Sequence, residues 1–484
     1  MQLKIILIGL MMPLSLMAQT YRPLEEKEIN ILFDYYQQDG NHSPVTGGLG
    51  TEKLDCAAPS MTVNVPFDSV NSINVSFGFD YYSSASCNNI DRYLQINSSG
   101  ASRSKFLSSA SAQDVRGHGD ISYTRKLKNR RNAIGGMFGY SKEYDVTSFS
   151  GGLNYSHTSK DGNSEFALKG SLYYDVWKLI FPGELRKHDL VSNSFIDPLS
   201  GKKIGWGHTE DFENISGASK SNIDPSYSTD TRYTTTFTAS FAQVLTKKLQ
   251  MFVITDVVFQ NGLLWTPFHR VYFDDDTTKT LPAEGTLSSR YVNHEWLPNH
   301  KIKIPIGLRL NYFLNDMLTL RFFYRFYWDD FGITSNTVSL EMPIKVNSWL
   351  TISPMYRYYQ QTACKYFRPF GEHKVLRDNN GIPKEWLDSN GGPVLPNTFT
   401  YQSQEQYFTS DYDLSALTNQ KVAIAFRFSP TYGIKKWKIP TFGLSKRPEG
   451  YHLLFKFFEL RAAYYNRSDG LTAGSIGFNC GFTF

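Results

Sequence analysis

Cysteine is scarce: four residues in 484, with no C-x-x-C pair. At most two disulfides can form, and paired-thiol redox or zinc chemistry has no motif to rest on. Charge is nearly balanced, 50 Lys and Arg against 45 Asp and Glu. The net +5 is spread along the chain, so nothing marks a nucleic-acid surface. Beyond the N-terminal segment no apolar run reaches the ~18 residues that a transmembrane helix needs. The length would allow ~3 ordinary domains, yet no Pro/Gly/Ser-rich linker or change of pattern divides the chain. G-x-S-x-G, H-E-x-x-H and phosphate-loop motifs are absent, so no enzyme class, cofactor or metal site has support from a motif. The expected class is non-enzymatic. A dispersed catalytic site at a barrel rim is the least favoured alternative.

Aromatic residues are abundant, 15% of the chain with 30 Tyr and 35 Phe. The mean hydropathy of −0.36 has the value of a water-soluble protein. Alternation resolves the conflict, because strand side chains point to opposite faces with period two and a window average hides the apolar half. In SINVSFGFDYY, Ile73, Val75, Phe77, Phe79 and Tyr81 share one face and Asn74, Ser76, Gly78 and Asp80 the other. IKIPIGLRLNY repeats the design, with Ile304, Ile306, Leu308, Leu310 and Tyr312 against Lys303, Gly307, Arg309 and Asn311. The final stretch GSIGFNCGFTF sets Ile476, Phe478, Cys480, Phe482 and Phe484 against Gly477, Asn479, Gly481 and Thr483. One face suits hydrocarbon and the other a wet lumen, as in a transmembrane β-barrel.

Read in order, residues 1–18 have the pattern of a secretory signal: Lys4, an apolar core from Ile5 to Leu16, and Ala18 before Gln19. Residues 19–484 read as one barrel. Segments of roughly ten alternating residues begin near 28, 60, 73, 114, 132, 148, 165, 232, 250, 303, 317, 333, 350, 420, 454 and 474. The predicted fold is therefore all-β, an antiparallel up-and-down transmembrane barrel of about 16 strands, with 14 to 18 as the range. Short turns (PFDSVNS, LKNRRN, SKDGNS, LTKK, FLNDM, PIKVNS) alternate with long connections at 38–59, 84–113, 178–230, 261–301 and 364–418. Outer-membrane barrels keep short turns in the periplasm and long loops outside, which places both chain ends in the periplasm. The link at 430–452 is long for a periplasmic turn.

The last strand, with Phe478, Phe482 and Phe484, resembles the assembly signal of bacterial outer-membrane barrels, implying the outer membrane, its lipid and the barrel-assembly machinery as partners. Longer phrases carry a more specific likeness: INILFDYYQQDGNHSPVTGGLGTE, SVNSINVSFGFDYYSSAS, YDVTSFSGGLNYS, TPFHRVYF, LRFFYRFYWDDFGIT, and YFTSDYDLS with YNRSDGL. Together, over residues 27–484, they resemble an uncharacterised family of Gram-negative outer-membrane β-barrel proteins, a domain of unknown function. The resemblance implies an exported barrel without an established ligand. It also points to a periplasmic or surface redox setting, with a surface lipoprotein or a periplasmic protein as partner.

Alternation places Arg309, Arg321, Arg325, Arg357, Arg427 and Arg461 on the inner face of the C-terminal half, with Asp329, Glu341 and Glu459. Two readings follow: a basic constriction favouring anions, or a ladder of salt bridges holding a wide barrel in register. Arg116, His118 and Asp120 share the inner face of the fourth strand, where structural hydrogen bonding outweighs a metal or relay site. The run Asp274, Asp275 and Asp276 lacks EF-hand spacing and reads as a solvated loop. His269 and Arg270 read as loop packing at the rim, with a binding patch as the alternative. Cys56 and Cys87 fall in consecutive candidate loops and are the pair expected to form a disulfide. On these residues the chain reads as a channel, or an accessory to transport, for a small solute of anionic character, with a docking barrel as the alternative.

Overall fold

The computed structural model describes residues 27–84, 113–182, 228–274, 292–384, 402–430, 437–440 and 452–483, with two dipeptide strands at Phe195–Ile196 and Lys203–Ile204. Sixteen long strands carry the fold. The first eight are β1 (Glu28–Asp39), β2 (Leu54–Pro66), β3 (Asn71–Ser84), β4 (Gln113–Lys126), β5 (Asn132–Lys142), β6 (Val146–Thr158), β7 (Ser164–Lys178) and β8 (Thr229–Thr246). The rest are β9 (Leu249–Gly262), β10 (His300–Phe313), β11 (Thr319–Asp329), β12 (Thr334–Glu341), β13 (Leu350–Gln361), β14 (Leu417–Phe428), β15 (His452–Arg467) and β16 (Thr472–Thr483). Each pairs antiparallel with its neighbour in sequence, and β1 returns to β16 from Glu28 opposite Thr483 to Asp39 opposite Thr472. The sheet is closed and has no edge, the condition for burying a β-structure in lipid.

The alternation in the sequence is the alternation in space. Phe77, Phe79 and Tyr81 of β3, Phe237 and Phe241 of β8, and Val422, Ile424 and Phe426 of β14 all lie exposed on the outer wall. Their sequence neighbours Ser76, Ala423 and Ala425 are shielded on the inner one. Among the described residues no helix is long and apolar enough to cross a membrane; the strands do the crossing. The predicted starts fall within a few residues of the observed ones, except that β2, expected near residue 60, begins at Leu54. Asp55 and Pro59 give that stretch the look of a loop. The ladder to β1 nevertheless runs through Pro59 opposite Phe33, while toward β3 partners exist for Ala57 and Ser60 but not between them. A proline donates no N–H, and the gap faces the strand that would have received it.

The tight turns share a device. Asp68 accepts from the N–H groups of Val70 (2.8 Å) and Asn71 (2.7 Å), Asn315 from Met317 and Leu318 (both 2.9 Å), and Asn347 from Trp349 (3.0 Å) and Leu350 (2.8 Å). Such Asx turns reverse the chain in the fewest residues. Within the long link after β14, Lys438–Pro440 pairs with the start of β15.

At the other end the described parts of the connections fold on one another into a cap. Its cores are Val271, Phe273, Val375 and Phe408 in one cluster, and Leu297, Phe331, Ile333 and Cys364 in another. A short hairpin pairs Arg270–Tyr272 with Val292–His294, and Arg270 Nη1 donates to the Val45 carbonyl at 2.6 Å, tying it to the loop after β1. Cys56 is buried on β2, whereas Cys87 lies outside the described residues, as do Asp275, Asp276 and Phe484.

Candidate functional site

The lumen wall of the C-terminal half carries two tiers of cations. Toward the tight-turn end, Arg321 pairs directly across the strands with Glu341 (3.5 Å) and Arg427 with Glu459 (3.6 Å). Arg461 joins the pairs, 3.3 Å from Glu459 and 3.7 Å from Glu341. Three guanidinium groups thus share two carboxylates. The chain of contacts ties strands together from β11 to β15 and excludes neither of the two sequence readings.

Further along the wall the balance changes. Arg309, Arg357 and Lys421 fall on one register row of the sheet and Arg325 on the next, on β10, β13, β14 and β11. Among the described residues no carboxylate lies within 4.0 Å of any of the four. Arg309 stacks over the Phe323 ring at 5.8 Å, and Arg357 Nε is buried without a hydrogen-bond partner. Asp34 and Glu341 act on Lys421 and Arg309 only from beyond ion-pair distance, and cations held in a wall without a carboxylate in contact raise the potential of any passage beside them.

The remaining predicted residues are divided between other places. Asp329 shares the inner face but belongs to the cap end. It is fully buried, with Lys301 Nζ at 2.8 Å, the Tyr327 hydroxyl at 2.7 Å and the Ile333 N–H at 3.0 Å. In the N-terminal half, Arg116 (3.6 Å) and His118 (3.8 Å) both face Asp80 of β3, and Gly78 leaves the space into which the His118 ring projects. Asp120 continues their row. Phe478 stacks on Phe33 across the closing seam at 5.4 Å, so the aromatic end of β16 grips β1. Asp274 receives the Val375 N–H at 3.4 Å, an ordinary loop contact.

The cap brings together residues that sequence reading left apart. His269, Glu295 and Asp411 converge, with ligating atoms all within 4.8 Å of one another. His269 Nδ1 is 3.7 Å from Glu295 Oε2 and 3.9 Å from Asp411 Oδ2. Glu295 also accepts from the Thr266 N–H at 2.8 Å and from the Thr409 hydroxyl. Desolvation pulls the His269 pKa down, but the two carboxylates outweigh it and hold the ring above the ordinary imidazole range. Desolvation, then Asp413, pushes Asp411 up to about 7 against the pull of His269. Burial alone would raise Glu295, but His269 and its two donors bring it below the usual carboxylate range. His269 was legible as a rim residue beside aromatics. Glu295 and Asp411 carried no signal, because they come from different loops and share no spacing.

Residues 18–431 match the family described as "Protein of unknown function (DUF3570)". No curated protein matches the chain. Among solved structures it is similar to CdiB from Acinetobacter baumannii, at 9% identity and a TM-score of 0.38, over 96% of this chain and 61% of that one. It is similar to the siderophore receptor PirA from the same organism at 10% identity and a TM-score of 0.34, over 92% of this chain and 54% of the receptor. A bacterial polysaccharide outer membrane secretin is similar at 6% identity and a TM-score of 0.39, over 95% and 98% of the two chains. The chain thus spans little more than half the length of the first two.

Proposed function

The chain belongs to the DUF3570 family of proteins of unknown function, and from its geometry we propose a non-enzymatic outer-membrane barrel that passes, or helps to pass, a small anionic solute. In this reading residues 1–18 direct export, the tight turns and both chain ends face the periplasm, and the capped end faces outward, as in barrels with short turns inside and long loops outside. The observation that carries the proposal is the tier of Arg309, Arg325, Arg357 and Lys421 without a carboxylate within ion-pair distance among the described residues. An anion passing this wall exchanges part of its hydration for fixed positive charge, whereas a cation meets repulsion.

A docking role is the second reading, favoured by the cap, whose loops hold two apolar clusters of their own and so present a surface of fixed shape. A surface lipoprotein is the partner the cap would seat, whereas a periplasmic redox protein would meet the tight-turn end. Conductance of the purified barrel in planar bilayers separates the two. The transport reading expects ion-conducting steps with anion preference, reduced in the Arg325→Ala, Arg357→Ala double variant. A folded barrel that never conducts favours docking; conductance with the same selectivity in both proteins removes the role given to the cations.

A further inference from the structure

We propose that the cap holds a divalent cation of the zinc class between His269 Nδ1, Glu295 Oε2 and Asp411 Oδ2. The three donors come from the loop after β9, the stretch after the Val292–His294 strand, and the loop before β14, so one ion would fasten three segments.

The geometry favours an ion over a direct contact. His269 Nδ1 is shielded from solvent and has no hydrogen-bond partner, although two carboxylates face it. At 3.7 and 3.9 Å those oxygens stand beyond hydrogen-bond length. Ligands bound tetrahedrally at ~2.0–2.1 Å lie about 3.4 Å from one another, so the two His269 distances need close by only a few tenths of an ångström, and all three donor atoms already lie within 4.8 Å of one another.

The surroundings are also those of a held ligand set. Glu295 Oε1 accepts from the Thr409 hydroxyl, and Thr409 Oγ1 in turn accepts the Asp411 N–H at 3.0 Å. Asp411 Oδ1 accepts the Asp413 N–H at 2.9 Å, which leaves Oδ2 for the centre. Each carboxylate is thus oriented by its other contacts, and Thr409 touches both. Partners of this kind fix the direction of metal ligands and raise affinity. Phe268 stands edge-on to the His269 ring at 5.4 Å and restricts its rotation. One imidazole nitrogen with two carboxylate oxygens suits zinc, whereas calcium and magnesium prefer all-oxygen sets with more ligands. Three protein donors leave a fourth position open.

The test uses the full-length barrel purified in detergent, stripped with chelator and then dialysed against zinc, with metal content read by mass spectrometry. The proposal expects about one zinc retained per chain. Cobalt in its place should give the visible absorption of a four-coordinate centre, and calcium in excess should not displace either metal. His269→Gln and Glu295→Gln should each lower zinc affinity more than tenfold, and Thr409→Ala, which touches no metal, about tenfold. Far-ultraviolet circular dichroism establishes that each variant retains the barrel. Overturning results are a folded wild-type barrel that retains no zinc, folded variants that retain as much as the wild type, or displacement by calcium at comparable concentration.

Discussion

Arg461 on β15 lies 3.7 Å from Glu341 on β12, although β13 and β14 stand between them in the sheet. The reach passes Met355 of β13, the direct cross-strand partner of Glu341, and then β14, which presents only the methyl groups of Ala423 and Ala425 to the lumen there, each 4% exposed. Ala425 is the direct cross-strand partner of Arg461. The pair is wet, with side chains 40% and 25% exposed, so its contribution is small. A double-mutant cycle with Arg461→Ala and Glu341→Ala, measured by denaturant unfolding, is expected to give a coupling of about 0.5–1 kcal/mol. Ala425→Leu should fill the path and remove most of that coupling without touching either charge.

Asp329 and Lys301 form the opposite kind of pair. The carboxylate is fully buried, and Lys301 Nζ at 2.8 Å supplies its countercharge. Removing the cation leaves a buried anion unmatched, so Lys301→Met is expected to cost about 3–5 kcal/mol in unfolding experiments. Adding Asp329→Asn to Lys301→Met should recover part of the loss, because the charge is then gone while the amide oxygen can still accept the Ile333 N–H and the amide NH2 can donate to the Tyr327 hydroxyl oxygen.

At the β5–β6 connection, burial and then the neighbouring Asp145 push the Glu143 carboxyl up to about 7, beside the Tyr82 hydroxyl at 2.9 Å. An acid whose folded pKa is raised loses stability on ionising. The cost is absent below the ordinary value of 4.5, builds as pH rises toward about 7, and is complete above it. Hydrogen exchange of the amides at 143–146, corrected for intrinsic rates, should quicken between about pH 5 and pH 8. In Glu143→Gln that pH dependence should weaken, the remainder coming from Asp145, whose carboxyl burial also raises.

Two glycines with positive φ should respond differently to alanine. Gly262 ends β9 at φ 100°, and a Cβ there would collide with the Thr231 carbonyl; Gly162, at φ 72° in the β6–β7 turn, has nothing within 4 Å of one. Gly162→Ala should cost about 1 kcal/mol, the left-handed penalty alone. Gly262→Ala must also displace backbone, and a loss well beyond that figure is expected in parallel unfolding curves.

Alternation in the sequence dictates the barrel, because the same period two governs hydrogen bonding, burial and exposure to lipid. Residues 73–81 and 303–312 announced their faces, and turn residues such as Asp68, Asn315 and Asn347 announced the reversals. Arg321, Arg427 and Arg461 were legible as inward for the same reason. Their partners were not: a face is a property of one strand, whereas the reach of Arg461 to Glu341 depends on register across β13 and β14 and on two alanines in the path. The sequence likewise placed Asp329 with the arginines, and only height along the barrel assigned it to Lys301 at the cap. The convergence of His269, Glu295 and Asp411 was beyond sequence altogether. Loops carry no period, and the packing of Val271, Phe273, Val375 and Phe408 that draws those segments together is a contact between distant parts of the chain.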